Sequence, residues 1–292
     1  MMTLRHEGMS RRQALVAAGT LLTSALWRTR PALALEAIRQ GYQTNIWGMP
    51  TYYLLKSGAL EKRGIKVEEF AVPSGNLTMQ QMVARQVDLG TYAAPSFILG
   101  HDKGGLIGIA VIEHVGRTTR IMARKDLGLT KVEQLKGLKI ANQTGSSVGN
   151  IFVDQIAPAA GLKKGDYQEV RMDVNNMVAA MAATPEFVTK SGDAIVEYLR
   201  AWMDVARDFK EHPSKVADAI YDFYASKGYS MSRDTFRAAL ATIDVDPSFP
   251  SDLPPYMQHH AEVLLREKKI AAIPDWDKAL RPEFMERARS AP

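Results

Sequence analysis

The chain has 292 residues and no cysteine, which excludes thiol catalysis, disulfide bonds and cysteine-ligated zinc. Its formal charge of +5 is concentrated in residues 1–34, where five arginines and one glutamate leave +4. The other 258 residues therefore carry +1 and contain no basic run with interleaved aromatic residues, so nucleic-acid binding is not predicted.

Residues 1–34 have the organisation of a secretory signal peptide. Arg11 and Arg12 precede an apolar run from Ala14 to Trp27, and small residues precede a cleavage point after Ala34. The paired arginines resemble a twin-arginine export signal. A membrane anchor is the less favoured alternative, because a spanning helix needs about 20 residues. We therefore expect a periplasmic protein.

Short apolar strands then alternate with amphipathic helices, which is typical of an α/β fold. As far as residue 113, the predicted strands are Ala37–Tyr42, Ile65–Ala71, Val87–Tyr92 and Leu106–Glu113. The helices between them are Thr51–Gly58, Leu77–Arg85 with Ser74 or Asn76 as the N-cap, and one that Ala94 opens with Pro95 in its first turn.

The pattern continues as far as residue 182. The predicted strands here are Ile121–Arg124, Lys139–Asn142 and Glu169–Met172. The predicted helices are Thr130–Leu135, one that ends near Ala160, and Asn175–Ala182.

From Pro185 onward the spacing of apolar residues is helical. Residues Asp193–Glu211 place Ile195, Leu199 and Trp202 on one face, as a helix that covers a core should. The further helices are Pro213–Tyr224, one from Ser232 to about Ile243, and Pro254–Lys268.

Four groups of residues occur in an order and spacing that is more specific than any one of them. They are Gly41–Pro50, Pro73–Asn76 with Gln86–Gly90, Leu135–Ala141 with Thr144–Ser147, and Tyr198–Trp202 with His212 and Pro213. Together they resemble the periplasmic substrate-binding proteins of nitrate/sulfonate/taurine-type ABC importers, a family that includes thiamine-precursor-binding proteins.

The resemblance implies a two-lobed α/β fold of the periplasmic-binding-protein class, similar to type II. Lobe 1 would comprise residues 35–115 and about 185–292, including the helical C-terminal region, and lobe 2 residues 116–184. Ligand binding closes the cleft between such lobes, and a membrane permease then takes the solute. A monomer is expected, and no cofactor or metal is predicted.

Three turns that follow predicted strands also point to an anion site on physical grounds. Helix N-termini present unpaired N–H groups and a partial positive charge, and converging N-termini hold carboxylates, sulfonates or phosphates. The candidate ligand-binding residues are Asn45, Trp47, Gly48, Tyr92, Ala94, Ser96, Thr144, Gly145, Ser146 and Ser147. Each turn is equally compatible with a capped helix, and Trp47 and Tyr92 either cover the ligand or pack in the core. Arg117 and Arg120 are further candidates.

The second lobe is predicted to be incomplete. The predicted helix Asn175–Ala182 is followed at once by Thr184–Val188, which the resemblance places after the return crossing. One strand, one ligand loop and the return strand would then be missing, roughly 30 residues. A family branch with a shorter second lobe is the alternative.

The sequence therefore predicts an extracytoplasmic solute-binding protein that delivers a small anionic organic solute to an ABC importer. The solute class is a sulfonate, a carboxylate, or a nitrate-like or pyrimidine-like molecule. The chain contains no G-x-x-x-x-G-K or H-E-x-x-H motif, and no catalytic residue is predicted. The alternatives are a pyrimidine-synthase-like enzyme or a hydrolase of the same fold, a ligand-sensing domain, and a non-functional truncated receptor.

Overall fold

The computed structural model describes residues 37–114, 123–142, 152–171 and 178–290. The signal segment 1–34, the turn 144–147, Arg117 and Arg120 lie outside the described residues. Parts of predicted elements also lie outside them, among them residues 121–122, 172 and 175–177.

Eight strands are described. Their bounds are β1 (Ile38–Gln43), β2 (Val67–Val72), β3 (Leu89–Ala93), β4 (Ile107–His114), β5 (Lys139–Asn142), β6 (Gln168–Arg171), β7 (Val178–Ala183) and β8 (Asp244–Ser248). The first four and β5 and β6 lie within a few residues of the predicted strands, because each is a compact apolar run with turn residues at its ends.

Eleven α-helices are described. They are α1 (Met49–Lys56), α2 (Gly75–Val83), α3 (Ala94–Gly104), α4 (Ala157–Ala159), α5 (Pro185–Lys190), α6 (Gly192–Glu211), α7 (Pro213–Ser226), α8 (Arg233–Leu240), α9 (Leu253–Arg266), α10 (Trp276–Ala279) and α11 (Glu283–Ser290). Shorter 3-10 turns lie at Ile46–Gly48, Glu61–Arg63, Lys125–Leu127 and Val132–Leu135, and a π-helical turn at Phe152–Ile156. No helix among the described residues has the length and hydropathy that crossing a bilayer requires.

Six strands form the main sheet in the order β2-β1-β3-β7-β4-β8. Strand β1 is parallel to β2 and β3, whereas β7 is antiparallel to both β3 and β4, and β8 is antiparallel to β4. Strands β1, β2, β3 and β4 therefore run in one direction, and their carboxyl ends share one edge of the sheet. We call this edge the carboxyl edge.

Helices cover both faces of the main sheet. The largest core cluster includes α1, α6 and α7 side chains such as Leu54, Trp202 and Ile220, each fully buried. A second cluster includes Met82 of α2, Phe97 of α3 and several residues of α9. Because both faces are covered, β3 is buried along its whole length, as a doubly covered strand should be.

The predicted helix over Asn175–Ala182 is wrong. The described part of this segment is β7, which pairs with β3 from Leu89↔Ala183 to Ala93↔Ala179 and with β4 from Ile107↔Ala183 to His114↔Val178. Alanine has a high intrinsic helix propensity, so Val178–Ala183 looks helical by itself. In the folded chain it fills a slot between two strands and under helices on both faces, where small side chains fit and packing overrides propensity.

This correction also changes the predicted gap. Strand β7 brings the chain back into the main sheet between β3 and β4, so the prediction that the return strand is missing is wrong. Between the exit at His114 and the return at Val178, the described residues contain the two-stranded parallel sheet β5-β6. Leu135, Phe152 and Tyr167 are among the buried residues that pack against it. We call residues 123–171 the inserted segment.

The predicted helices of the C-terminal region are confirmed. Ile195, Leu199 and Trp202 are fully buried on one face of α6. Ser232 caps α8, accepting a hydrogen bond from the backbone N–H of Thr235 at 3.2 Å. Helix α5 lies where the chain was predicted to become helical, from Pro185 onward. Strand β8 and the helices α10 and α11 were not predicted, because each is short and lacks a full period of the apolar pattern.

Candidate functional site

The strand order reverses beside β1. The chain passes from β1 to β2 on one side and then back to β3 on the other side. The helix α1 packs on one face of the sheet, whereas α2 and α3 pack on the opposite face. The connections therefore diverge above and below the carboxyl ends of β1 and β3, the position at which open α/β sheets form a crevice. In open α/β sheets this position is where ligands bind.

Three helices begin at this crevice. Helix α1 starts at Met49 after β1, α2 at Gly75 after β2, and α3 at Ala94 after β3. None of the three N-cap residues, Gly48, Ser74 and Ala93, makes a side-chain hydrogen bond to its helix, although Ser74 occupies one of the two predicted N-cap positions of α2. The positive ends of three helix dipoles and their N–H groups are therefore directed to one edge of the sheet.

Hydrogen bonds connect the turns that follow β1 and β2. The Asn45 Nδ2 donates to the Pro73 carbonyl at 3.3 Å and to Gln43 Oε1 at 3.3 Å. Its Oδ1 accepts from the Trp47 N–H at 3.1 Å. The backbone N–H of Thr44 donates to the Val72 carbonyl at 2.8 Å. Asn45 therefore fixes the two turns relative to each other, and its own polar atoms already have partners.

The turn into α1 requires glycine at position 48. A Cβ at Gly48 would lie 1.6 Å from the carbonyl oxygen of Gln43, far inside contact distance. The Gly48 backbone has φ −91° and ψ −5°, which any residue adopts, so the requirement comes from this close approach alone. Gly48 thus determines where the N-terminus of α1 lies.

The turns after β2 and β3 are also connected. The Ser96 hydroxyl, in the first turn of α3, donates to Asn76 Oδ1 at 2.5 Å, and Asn76 lies in the first turn of α2. A Cβ at Gly75 would lie 2.8 Å from Tyr92 Cβ and 3.4 Å from Gln43 Oε1. The start of α2 therefore lies against the ends of β1 and β3, and it is bonded to the start of α3.

The structure places Tyr92 in the core rather than over the crevice. The side chain is fully buried, and its Cε1 lies 3.2 Å from the Cβ position of Gly90, so the ring extends back along the sheet. Its hydroxyl has no hydrogen-bond partner among the described residues, and burial raises the pKa of Tyr92 well above its usual value. Of the two readings of Tyr92 left open by the sequence, the structure supports core packing.

The other candidate residues divide into three groups. Ala94 and Ser96 lie in the first turn of α3 and are buried, and Trp47 is half-buried in the 3-10 turn that leads into α1. Asn45 and Gly48 act on the geometry of that turn, as described above. Thr144, Gly145, Ser146 and Ser147 lie outside the described residues. The first lobe's candidates are thus brought together, and their role in binding stays a prediction.

The two crossings between the main sheet and the inserted segment lie at the same edge. The chain leaves the sheet at His114 and returns at Val178, and these two residues pair with each other. One residue before the exit, Glu113 is fully buried, and neither of its carboxyl oxygens has a partner among the described residues. Burial raises the pKa of Glu113 well above its usual value, which favours the protonated form.

The inserted segment contacts the main body through two carboxyl groups. Asp154, in the π-helical turn, is hydrogen-bonded to Glu267, which follows α9. Burial, the hydrogen bond and the charge of Glu267 raise the pKa of Asp154 to about 6. Burial alone would raise the pKa of Glu267, but hydrogen bonds from Lys269 and Asp154 and the charges of Lys269 and Arg266 together outweigh it and hold that pKa below its usual value. The pair therefore favours one shared proton.

Four polar residues of this site were not predicted. Gln43 and Asn76 were visible as polar residues at a strand end and a helix start, and Thr44 follows directly on β1. The hydroxyl of Tyr229 lies 3.5 Å from that of Thr44, although the two residues are 185 positions apart. No sequence signal connects such a pair. Within the described ranges, no group of three or more acidic or histidine side chains is placed to hold a metal ion.

The chain belongs to the NMT1/THI5-like family, whose match covers residues 45–235. A binding protein of Brucella abortus (strain 2308) is 28% identical over 205 residues, 68% of this chain and 60% of that protein. A binding protein of Brucella melitensis has the same identity and coverage. The chain thus spans about 60% of the length of these curated relatives.

Solved structures share the fold. The alkanesulfonate-binding protein SsuA from Xanthomonas axonopodis pv. citri superposes with a TM-score of 0.69 over 86% of this chain and 99% of that chain, at 14% identity. The periplasmic nitrate-binding protein NrtA from Synechocystis PCC 6803 superposes with a TM-score of 0.60 over 87% of this chain and 88% of that chain, at 12% identity. The predicted periplasmic-binding-protein fold is confirmed.

Proposed function

We propose that this chain is an extracytoplasmic solute-binding protein that delivers a small anionic organic solute to an ABC permease, and that it is not an enzyme. Structures that share its fold are named for binding alkanesulfonate and nitrate. The observation that carries the proposal is the meeting of three helix N-termini, none with a capping side chain, where the strand order reverses. Such an arrangement stabilises an anion without a dedicated cationic side chain.

The proposed lobe division follows from the two crossings. Lobe 1 is the main sheet with its helices, from residues 35–115 and about 185–292 together with β7, and lobe 2 lies within the rest of residues 116–184. A ligand held at the carboxyl edge of lobe 1 would face the inserted segment, because the chain leaves and returns at that edge. Closure of one lobe on the other is the expected response to ligand. In this proposal lobe 2 contributes Thr144–Ser147 and is one strand and one ligand loop shorter than the resemblance implies.

Residues 1–34 are proposed to be a twin-arginine-type signal that places the protein in the periplasm. The charge distribution supports this, since most of the net positive charge lies in that segment. The test is expression in a bacterial host with Arg11 and Arg12 both replaced by lysine. We expect the wild type in the periplasmic fraction and the variant in the cytoplasm; equal distribution would contradict the proposed signal.

The solute-binding proposal is tested by ligand-induced stabilisation of the protein. A ligand that binds the folded state raises the melting temperature by mass action. The probes are sodium nitrate, sodium ethanesulfonate and sodium acetate, each at constant ionic strength adjusted with sodium chloride. We expect at least one to raise the melting temperature in a saturable way. The absence of a response to all three would count against a small-anion site.

A charge variant locates the response at the carboxyl edge. Asn76→Asp keeps the acceptor for the Ser96 hydroxyl and adds a negative charge at the start of α2, which favours the helix. It should leave the melting temperature of the unliganded protein unchanged or slightly higher. It should weaken anion binding by at least about fivefold, because two like charges about 4 Å apart repel by about 1 kcal/mol even at the dielectric constant of water.

The matched control is Gln86→Glu. Gln86 is exposed and precedes β3 at the opposite edge of the sheet. The five residues of β3 separate the two edges by about 16 Å, which exceeds a Debye length of about 8 Å in physiological salt. Anion binding by this variant should match the wild type. Equal losses in both variants would indicate a general charge effect rather than a site at the carboxyl edge.

A further inference from the structure

The turn between α7 and α8 brings one tyrosine to the candidate site. Helix α7 ends at Ser226, and Gly228, with φ +87°, reverses the chain before Tyr229. The Tyr229 ring stacks on the buried Tyr224 ring at 4.7 Å and 15°. On the far side of the turn, the Tyr221 hydroxyl donates to the Met231 carbonyl at 2.7 Å. The turn is therefore held at both ends, and the position of Tyr229 is preset.

The Tyr229 hydroxyl lies at the carboxyl edge. It is 3.5 Å from Thr44 Oγ1, and Thr44 directly follows β1 between the starts of α1 and α2. Hydrogen bonds between hydroxyls are usually about 2.7 Å long, so this contact is at the outer limit and satisfies neither group well. The ring is anchored, whereas its hydroxyl has only this weak partner among the described residues. A hydroxyl with so weak a partner is well suited to form a hydrogen bond with a ligand atom.

We propose that Tyr229 is a ligand-binding residue of this site, and that its phenol, together with the Thr44 hydroxyl, donates hydrogen bonds to oxygen atoms of an oxyanion held at the starts of α1, α2 and α3. The inference rests on the function proposed above and extends it, because it brings the C-terminal helical region into the binding site. An oxyanion with several acceptor oxygens meets both hydroxyls and the helix N–H groups at once.

A purely structural role makes a different prediction. If the hydroxyl of Tyr229 only secured the α7–α8 turn to Thr44, its removal would lower the stability of the free protein and leave ligand affinity unchanged. If it binds the ligand, Tyr229→Phe retains the stacking on Tyr224 and should lower affinity with little change in stability, because the 3.5 Å contact is weak.

The experiment measures nitrate and ethanesulfonate binding to the full chain by calorimetry, with the melting temperature of the free protein recorded in parallel. The control is Tyr221→Phe. It also removes one phenol oxygen, but the hydroxyl that it removes secures the α7–α8 turn through its bond to the Met231 carbonyl. We expect Tyr229→Phe to weaken binding about tenfold, as loss of a hydrogen bond to a charged acceptor does. Tyr221→Phe should lower the melting temperature and bind as the wild type does.

Three outcomes separate this inference from the proposed function. Binding by the wild type that weakens in Tyr229→Phe alone supports both. Binding of equal strength in the wild type and Tyr229→Phe overturns the role of Tyr229 and leaves the solute-binding function intact. If neither probe binds the wild type, and Asn76→Asp behaves identically, both the role of Tyr229 and the solute-binding function are overturned.

Discussion

The replacement of Gly48 by alanine tests the geometry of the candidate site most directly. An alanine Cβ would lie 1.6 Å from the carbonyl oxygen of Gln43, where ordinary contact begins near 3.4 Å. The two groups must therefore separate by about 1.8 Å, more than a well-packed turn can absorb. The backbone angles themselves suit alanine, so any loss of stability reports the close approach and not a change in backbone preference.

The expected magnitude follows from the hydrogen bonds that opening this turn would break. They are the bond from Gly48 N–H to the Asn45 carbonyl at 2.9 Å, the bond from Trp47 N–H to Asn45 Oδ1 at 3.1 Å, and the bond from Asn45 Nδ2 to the Pro73 carbonyl at 3.3 Å. At about 1 kcal/mol each, their loss costs about 3 kcal/mol. The lower chain entropy of alanine in the unfolded state returns about 0.5–1 kcal/mol. The free energy of unfolding should fall by about 2 kcal/mol.

The assay is urea denaturation of Gly48→Ala and the wild type, followed by tryptophan fluorescence and circular dichroism. A fall of about 2 kcal/mol corresponds to about 4–8 °C in melting temperature for a chain of this size. Gly192→Ala is the control, because its Cβ would meet only the edge of the Phe284 ring at 3.3 Å. A Gly48→Ala protein within about 0.5 kcal/mol of the wild type would refute the reasoning. Anion binding should weaken in Gly48→Ala as well, since α1 would move.

Two further predictions concern stability. The folded state binds the Asp154 proton more tightly than the unfolded chain, so Asp154 destabilises the fold increasingly as the pH rises from about 4 to about 6. Above pH 6, Asp154→Asn should therefore be more stable than the wild type by about 1 kcal/mol. This is about a third of what the full pKa shift would give, because the carboxyl group is partly solvated. Near pH 3 the two proteins should be equally stable. Asp166→Asn should show the opposite trend, a stability that falls below that of the wild type as the pH rises. The reason is that the backbone N–H of Lys163 holds the pKa of Asp166 below its usual value. If stability depended on pH in the same way in both variants, this assignment would be contradicted. Tyr198→Phe should cost about 1–3 kcal/mol in urea denaturation, because it leaves the buried Gln40 Oε1, which the Tyr198 hydroxyl meets at 2.6 Å, without that partner. Tyr53→Phe should cost less, because the Asp208 carboxylate that its hydroxyl meets at 2.9 Å is only half-buried and can be solvated. The reverse order would be inconsistent with the burial of the Gln40 contact.

Much of the candidate site was predictable because its parts are local. The starts of α1, α2 and α3 follow polar or small residues directly after apolar strands, and such patterns are decided within a few residues of the chain. Pro95 lies in the first turn of α3, as predicted. Of the two residues offered as the N-cap of α2, Ser74 and Asn76, the structure selects Ser74. The sequence did not indicate that the Ser74 side chain leaves the N–H groups of α2 without a cap.

The sequence by itself determined the alternation of strands and helices and the helical C-terminal region, because amphipathic periodicity is a property of the chain before it folds. Only the tertiary structure decided that Val178–Ala183 is a strand, since pairing with β3 on one side and β4 on the other overrides the helical preference of alanine. It alone placed Tyr92 in the core and Tyr229 beside Thr44. Contacts between residues far apart in sequence depend on how whole elements pack, and no local pattern encodes them.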